Sequence, residues 1–61
     1  MRELTEVTIN EIAMINHDKQ TPGGAWIIHF FDSKKVAKIY RSDIIKLFTD
    51  RMILLTKDNF I

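Results

Sequence analysis

The clearest pattern in the chain is a pair of apolar segments, residues 25–31 and 35–41, rich in β-branched and aromatic side chains. Such residues favour strands, in which successive side chains point to opposite faces of a sheet. The polar residues Asp32, Ser33 and Lys34 separate the two segments. The pattern therefore predicts a β-hairpin whose loop is formed by Ser33 and Lys34.

This loop position fixes which side chains share a face. It places Phe30 opposite Ala37 and Ile28 opposite Ile39, because paired residues lie on the same side of a sheet. The first face is almost wholly apolar and is predicted to be core: Trp26, Ile28, Phe30, Ala37 and Ile39. The second face mixes aromatic, aliphatic and cationic side chains: Ile27, His29, Phe31, Val36, Lys38 and Tyr40.

Residues 4–16 fit two structures. Their apolar positions alternate as in a strand, but the alternation changes phase near Asn10 and Glu11, where a β-bulge is then needed. Thr8 and Glu11 also have the spacing of a capping box, which predicts a short helix instead. The β-branched residues favour the strand, and the helix stays open as the alternative.

Proline and glycine mark the clearest loop, residues 17–24. Within it, Thr21-Pro22-Gly23-Gly24 predicts a type II turn, since proline sets φ at one turn position and glycine accepts a positive φ at the next. The glycine pair precedes a strand rather than a helix. It therefore lacks the geometry of a phosphate-binding loop.

The C-terminal third predicts a short helix and a strand. Ser42 and Asp43 are suited to cap the helix, and its buried face is expected to carry Ile44, Leu47 and Phe48. Residues 52–55 are apolar enough for a buried strand before a turn at residues 57–58. Phe60 and Ile61 are expected to pack on the core or to reach a neighbouring subunit.

These elements predict a single small α+β domain over residues 1–61, with an antiparallel sheet of three to four strands and one short helix. The alternative is an SH3-like small β-barrel. The chain has 46% hydrophobic and 28% charged residues, which excludes a disordered tail and a membrane segment. The first residues do not form an apolar leader, so we expect a cytoplasmic location.

Charge is divided unevenly along the chain. Residues 1–32 carry two cationic and five acidic side chains, whereas residues 33–61 carry seven cationic and three acidic ones. The two halves are therefore expected to attract each other, within the fold or across a homodimer. A homodimer or tight complex is also favoured because no cysteine is present to stabilise so small a core.

Candidate catalytic chemistry is sparse. His17 and His29 are the two histidines, and neither has a partner at metal-ligand spacing. The acidic residues are scattered, and no nucleophile and base pair stands out. We therefore expect no enzyme activity, no metal and no cofactor.

The second hairpin face is the candidate binding surface. Its predicted partner-binding residues, with those flanking the strand ends, are Ile27, His29, Phe31, Lys35, Lys38, Tyr40 and Arg41. Three interpretations are open: another element covers the face, a protein partner binds it, or aromatic rings there stack on nucleic-acid bases. The net charge of +1 argues against nonspecific nucleic-acid binding.

The functional hypothesis is a small protein-interaction module. Short, cysteine-free products of this composition are typical of phage or mobile-element accessory proteins that bind a larger host protein and inhibit or redirect it. The alternative is a small nucleic-acid-binding regulator that uses the basic stretch from Lys34 to Arg51.

Overall fold

The computed structural model describes residues 3–32 and 34–61. Its strands are β1 (Leu4–Thr8), β2 (Ile12–Asp18), β3 (Ala25–Phe30), β4 (Val36–Tyr40) and β5 (Met52–Thr56). One α-helix, α1 (Arg41–Asp50), precedes β5, and 3-10 turns occupy Ile9–Glu11 and Lys57–Asn59. The α+β class is confirmed.

The five described strands form two antiparallel sheets rather than one. β1 pairs with β5, while β2, β3 and β4 form a three-stranded meander. A bridge between Ala37 and Phe60 connects β4 to the segment after β5. This partial closure between sheets is the feature that the SH3-like alternative has in common with the observed arrangement.

The ambiguous N-terminal segment contains both predicted structures. It is extended on each side of one 3-10 turn, so the strand is confirmed and the helix is reduced to a single turn. The Glu11 carboxylate accepts hydrogen bonds from the Thr8 backbone N–H at 2.7 Å and from the Thr8 hydroxyl at 3.2 Å. The register shift lies between Ile12 and Met14, slightly later than expected.

The hairpin faces are confirmed, but the register is displaced by two residues from the prediction. Ile28 lies opposite Ala37, and Trp26 lies opposite Ile39. The loop is longer than expected because the Lys35 N–H donates to the Asp32 carbonyl at 2.9 Å, which places Phe31 outside β3. A displacement of two keeps every side chain on its predicted face. The predicted loop residue Ser33 lies outside the described residues.

The buried hydrophobic side chains other than Ala25 form one cluster between the two sheets and α1. It contains Val7, Ile28, Phe30, Ala37, Ile39, Ile44, Leu47, Ile53 and Leu55. Trp26 and Phe60 are partly buried against this cluster. Ile61 donates its backbone N–H to the Val36 carbonyl at 2.8 Å, while its side chain is exposed.

Helix α1 differs from the prediction at two residues. Tyr40 is the N-cap, without a side-chain hydrogen bond, and Ser42 lies inside the first turn. Ile44 and Leu47 are buried, but Phe48 is 52% exposed. Residues turn about 100° apart around a helix, so Phe48 falls beside the narrow strip that the sheets cover. Within the described residues, no helix has the length and apolar character needed to cross a membrane.

The type II turn is confirmed. Gly24 donates its N–H to the Thr21 carbonyl at 2.9 Å, and Gly23 has φ of 79°. The preceding residues His17 and Asp18 belong to β2 rather than to the loop that the sequence predicted. Their pairing with β3 extends the strand because His17 lies opposite Trp26.

Candidate interaction surface

The β2–β3–β4 sheet has one face toward the core and one that we call the outer face. The pairings place nine side chains on the outer face: Met14, Asn16 and Asp18 from β2, Ala25, Ile27 and His29 from β3, and Val36, Lys38 and Tyr40 from β4. Only Ala25 among them is buried. The core-facing side of this sheet is buried against the β1–β5 sheet and α1, whereas no described element buries the outer face in this way.

Apolar and aromatic side chains form a band across the outer face. Met14 is 51% exposed and Tyr40 is 52% exposed. Ile27 lies on β3, between the strands that carry Met14 and Tyr40. It is not part of the buried cluster or of the hydrophobic residues packed against that cluster. These side chains are held on a paired sheet and offer apolar area to a partner without prior rearrangement.

Asp18 connects the outer face to the neighbouring turn. Its Oδ2 accepts a hydrogen bond from the Thr21 hydroxyl at 2.8 Å, and its Oδ1 accepts one from the Gln20 backbone N–H at 3.0 Å. Lys38 Nζ lies 3.3 Å from Asp18 Oδ2. The Thr21 hydrogen bond, then those from Gln20 and Lys38, hold the pKa of Asp18 below its ordinary value of 3.8.

Two polar pairs cross the strands of this face. The Lys38–Asp18 ion pair spans β3, because β3 lies between β2 and β4. Asn16 Nδ2 and His29 Nε2 lie 3.2 Å apart and link β2 to β3. The charges that lie on the face itself are therefore matched with each other, which leaves a nearly neutral surface.

The structure brings together four of the seven predicted partner-binding residues. Ile27, His29, Lys38 and Tyr40 share the outer face. Phe31 and Lys35 lie instead beyond the strand ends, where they line a groove of about 300 Å³. Phe31 is 74% exposed, and its backbone N–H donates to the Glu11 carbonyl at 3.1 Å. The predicted site is thus divided between the outer face and this groove, because Phe31 lies outside β3.

Arg41 lies at the opposite end of the sheet. It lines a wide, open groove of about 730 Å³ together with Trp26, His17 and the turn after β2. The His17 and Trp26 ring centroids are 4.6 Å apart. Sequence reasoning assigned His17 to a loop and Trp26 to the core, so it missed this aromatic pair. Extending β2 to Asp18 would have placed the two rings opposite each other.

A second exposed apolar surface follows helix α1 and β5. Ile45 and Phe48 are about half exposed, and Met52 and Leu54 are exposed on β5. Phe48 and Met52 line one groove together with Ile9. The helical pattern assigned Phe48 to the buried strip, so the sequence did not indicate this surface.

The described residues contain no group of three or more histidine, aspartate or glutamate side chains arranged to hold a metal ion. The two histidines lie on opposite faces of their sheet, with His17 beside Trp26 and His29 beside Asn16. Comparison of the chain with protein-family models, with curated proteins and with solved structures finds no match.

Proposed function

We propose that this chain is a protein-interaction module that binds a larger protein through its outer face. The observation that carries the proposal is the band formed by Met14, Ile27 and Tyr40 on a sheet face that no described element buries. Partly exposed aromatic and aliphatic side chains on a rigid support are typical of interface centres. The chain acts by occupying its partner's surface rather than by catalysis.

The charge arrangement favours a protein partner over nucleic acid. Lys38, the cation in the middle of the face, lies 3.3 Å from the Asp18 carboxylate and is already neutralised. Binding to phosphates requires several cations on one surface. The basic stretch from Lys34 to Arg51 is divided between the hairpin loop, the outer face and the helix. The nucleic-acid-binding regulator stays a prediction with less support.

A finer part of the proposal is that occupancy inhibits or redirects the partner, as phage or mobile-element accessory proteins do in the cytoplasm. A rigid chain of this kind blocks whatever the covered surface would otherwise bind. The support for this finer part is compositional.

Site-specific photo-crosslinking tests the proposal in the cells that encode the chain. A photoreactive phenylalanine analogue replaces Tyr40 or Ile27 on the outer face, and Thr49 on the exposed side of α1 serves as the control. We expect one discrete heavier adduct from the two outer-face positions and none from Thr49. Mass spectrometry then identifies the partner and separates it from adducts with a second copy of the chain.

Two outcomes would overturn the proposal. One is that the outer-face positions and Thr49 give the same adducts, since the partner would then show no preference for the outer face. The other is retention of the purified chain on nucleic acid at low salt, with steep loss as salt rises. In that case Lys38→Glu with Arg41→Glu should abolish retention and identify the nucleic-acid alternative.

A further inference from the structure

The two edges of the β2–β3–β4 sheet differ in whether another segment of the chain bonds to them. At the β4 edge, the Val36 carbonyl accepts the Ile61 N–H at 2.8 Å, and the Lys38 carbonyl accepts the Asn59 amide at 3.2 Å. At the β2 edge, no described segment pairs with the seven-residue strand. One edge is therefore covered, and the other presents backbone groups without a strand partner.

The alternation of ladder hydrogen bonds identifies which groups these are. Phe30 donates its N–H to the Lys35 carbonyl, so the β3 residues Phe30, Ile28 and Trp26 bond toward β4. His29, Ile27 and Ala25 consequently bond toward β2, where they face Met14, Asn16 and Asp18. The remaining β2 residues, Ile15 and His17, direct their N–H and C=O groups away from the sheet.

Apart from the irregularity between Ile12 and Met14, the β2 edge also lacks the usual protection against pairing. Edge strands commonly carry lysine, proline or inward-pointing charges. Residues 12–18 contain no lysine, arginine or proline, and Asp18 is the strand's only charged residue. No β2 side chain is fully buried, and β3 is the one described strand that pairs with it.

We propose that β2 pairs antiparallel with β2 of a second copy, about a two-fold axis at Asn16. This position uses the unbroken pairing of Met14–Asp18 and leaves the irregularity between Ile12 and Met14 outside the interface. Ile15 then lies opposite His17 of the second copy, so every outward backbone group of these two residues is bonded. The product is one sheet of six strands, three from each copy.

The side chains are complementary to themselves about this axis. Asn16 lies opposite Asn16 of the second copy, and two carboxamides can donate to and accept from each other. Met14 lies opposite the other Asp18, so the two Asp18 carboxylates stand at opposite ends of the interface. No like charges face each other, and the two outer faces become neighbours on one continuous surface.

Single cysteines test the register, because the chain contains none of its own. Asn16→Cys places two thiols opposite each other in a pair without backbone hydrogen bonds, with Cα atoms about 4.5 Å apart, within disulfide range. Met14→Cys is the matched control on the same face, since its two copies lie four residues apart along the strands. Mild oxidation of the folded chain should link Asn16→Cys into dimers and leave Met14→Cys unlinked.

Lysine substitutions test the same interface by sedimentation equilibrium. The wild-type chain should sediment at twice its 7.2 kDa mass at high micromolar concentration. Asn16→Lys places two cations opposite each other and should lose the dimer. Met14→Lys adds the same charge opposite Asp18 and should keep it. Both positions are exposed, so circular dichroism should show an unchanged fold.

The inference is overturned if the wild-type chain sediments as a monomer, if Met14→Cys links as readily as Asn16→Cys, or if Asn16→Lys remains dimeric. These readouts use the purified chain alone. They are therefore independent of whether the outer face binds a different protein.

Discussion

Asp18 joins more parts of the molecule than any other side chain on the outer face. It ends β2, accepts hydrogen bonds from Gln20 and Thr21 in the following turn, and pairs with Lys38 on β4. Its negative charge is therefore needed both to shape the turn and to keep the outer face neutral.

The first prediction concerns the pH dependence that Asp18 produces. Because its pKa is lowered in the folded chain, its stabilisation is present above the ordinary value of 3.8 and is lost as pH falls through the folded pKa. Asp18→Asn should be less stable than the wild type at neutral pH, and the difference should shrink on acidification. Urea unfolding at several pH values measures it.

Asp50→Asn is the control, since it makes the same change in net charge on the exposed helix and keeps the acid-dependent stabilisation from Asp18. A constant difference between Asp18→Asn and the wild type over the acid range would contradict this role.

The second prediction concerns Gly23 in the type II turn. Its φ of 79° strains any L-residue, and a Cβ there would meet no atom within 4 Å. Gly23→Ala should therefore lower the free energy of unfolding by about 1–2 kcal/mol through backbone strain alone. Gly23→Asn should lose less, because asparagine tolerates the left-handed region. Equal stability of all three chains would show that this turn does not form.

At the scale of elements, the sequence pattern predicted those structures that depend on interactions between residues close together in the chain. The period of two assigned both hairpin faces correctly, since it depends only on the strand pleat. The register depended on the Asp32 carbonyl binding Lys35, a loop detail that composition does not encode. Four of seven predicted site residues consequently share a face, whereas Phe31 and Lys35 line a groove beyond it and Arg41 lies on α1.

Helix α1 gives the third prediction, a contrast between neighbouring residues. Leu47 is fully buried and Phe48 is half exposed. Leu47→Ala should lower the free energy of unfolding by about 2–5 kcal/mol, and Phe48→Ala should change it by less than about 1 kcal/mol. Urea unfolding of the two variants measures the contrast. A larger loss of stability from Phe48→Ala than from Leu47→Ala would contradict this prediction and place Phe48 in the core.

The end of α1 gives the fourth prediction. Arg51 follows the helix with φ of 64°, a conformation that glycine adopts without strain. Arg51→Gly should raise the free energy of unfolding by up to about 1 kcal/mol, since relief of strain exceeds the added chain entropy. Arg51→Val should lower it, because a β-branched side chain disfavours this region. Thermal unfolding separates these outcomes from each other.

At the scale of the whole molecule, the pairing between β1 and β5 was beyond prediction from sequence. It joins Leu4–Thr8 to Met52–Thr56, two segments at opposite ends of the chain. Nothing in the pattern of either segment indicates that it pairs with the other. The same pairing closes the core over one face of the β2–β3–β4 sheet. Which face stays open is thus decided by a long-range contact, and the functional proposal depends on it.

Paramagnetic relaxation of the purified chain by a neutral, soluble cosolute tests most directly whether the outer face is open. An open outer face predicts strong relaxation of the Tyr40 ring and the Ile27 methyl groups, with Ile28 and Ile39 protected as core residues. Ile27 and Tyr40 protected to the same degree as Ile28 and Ile39 would contradict it, because another part of the molecule would then cover the surface assigned to the partner.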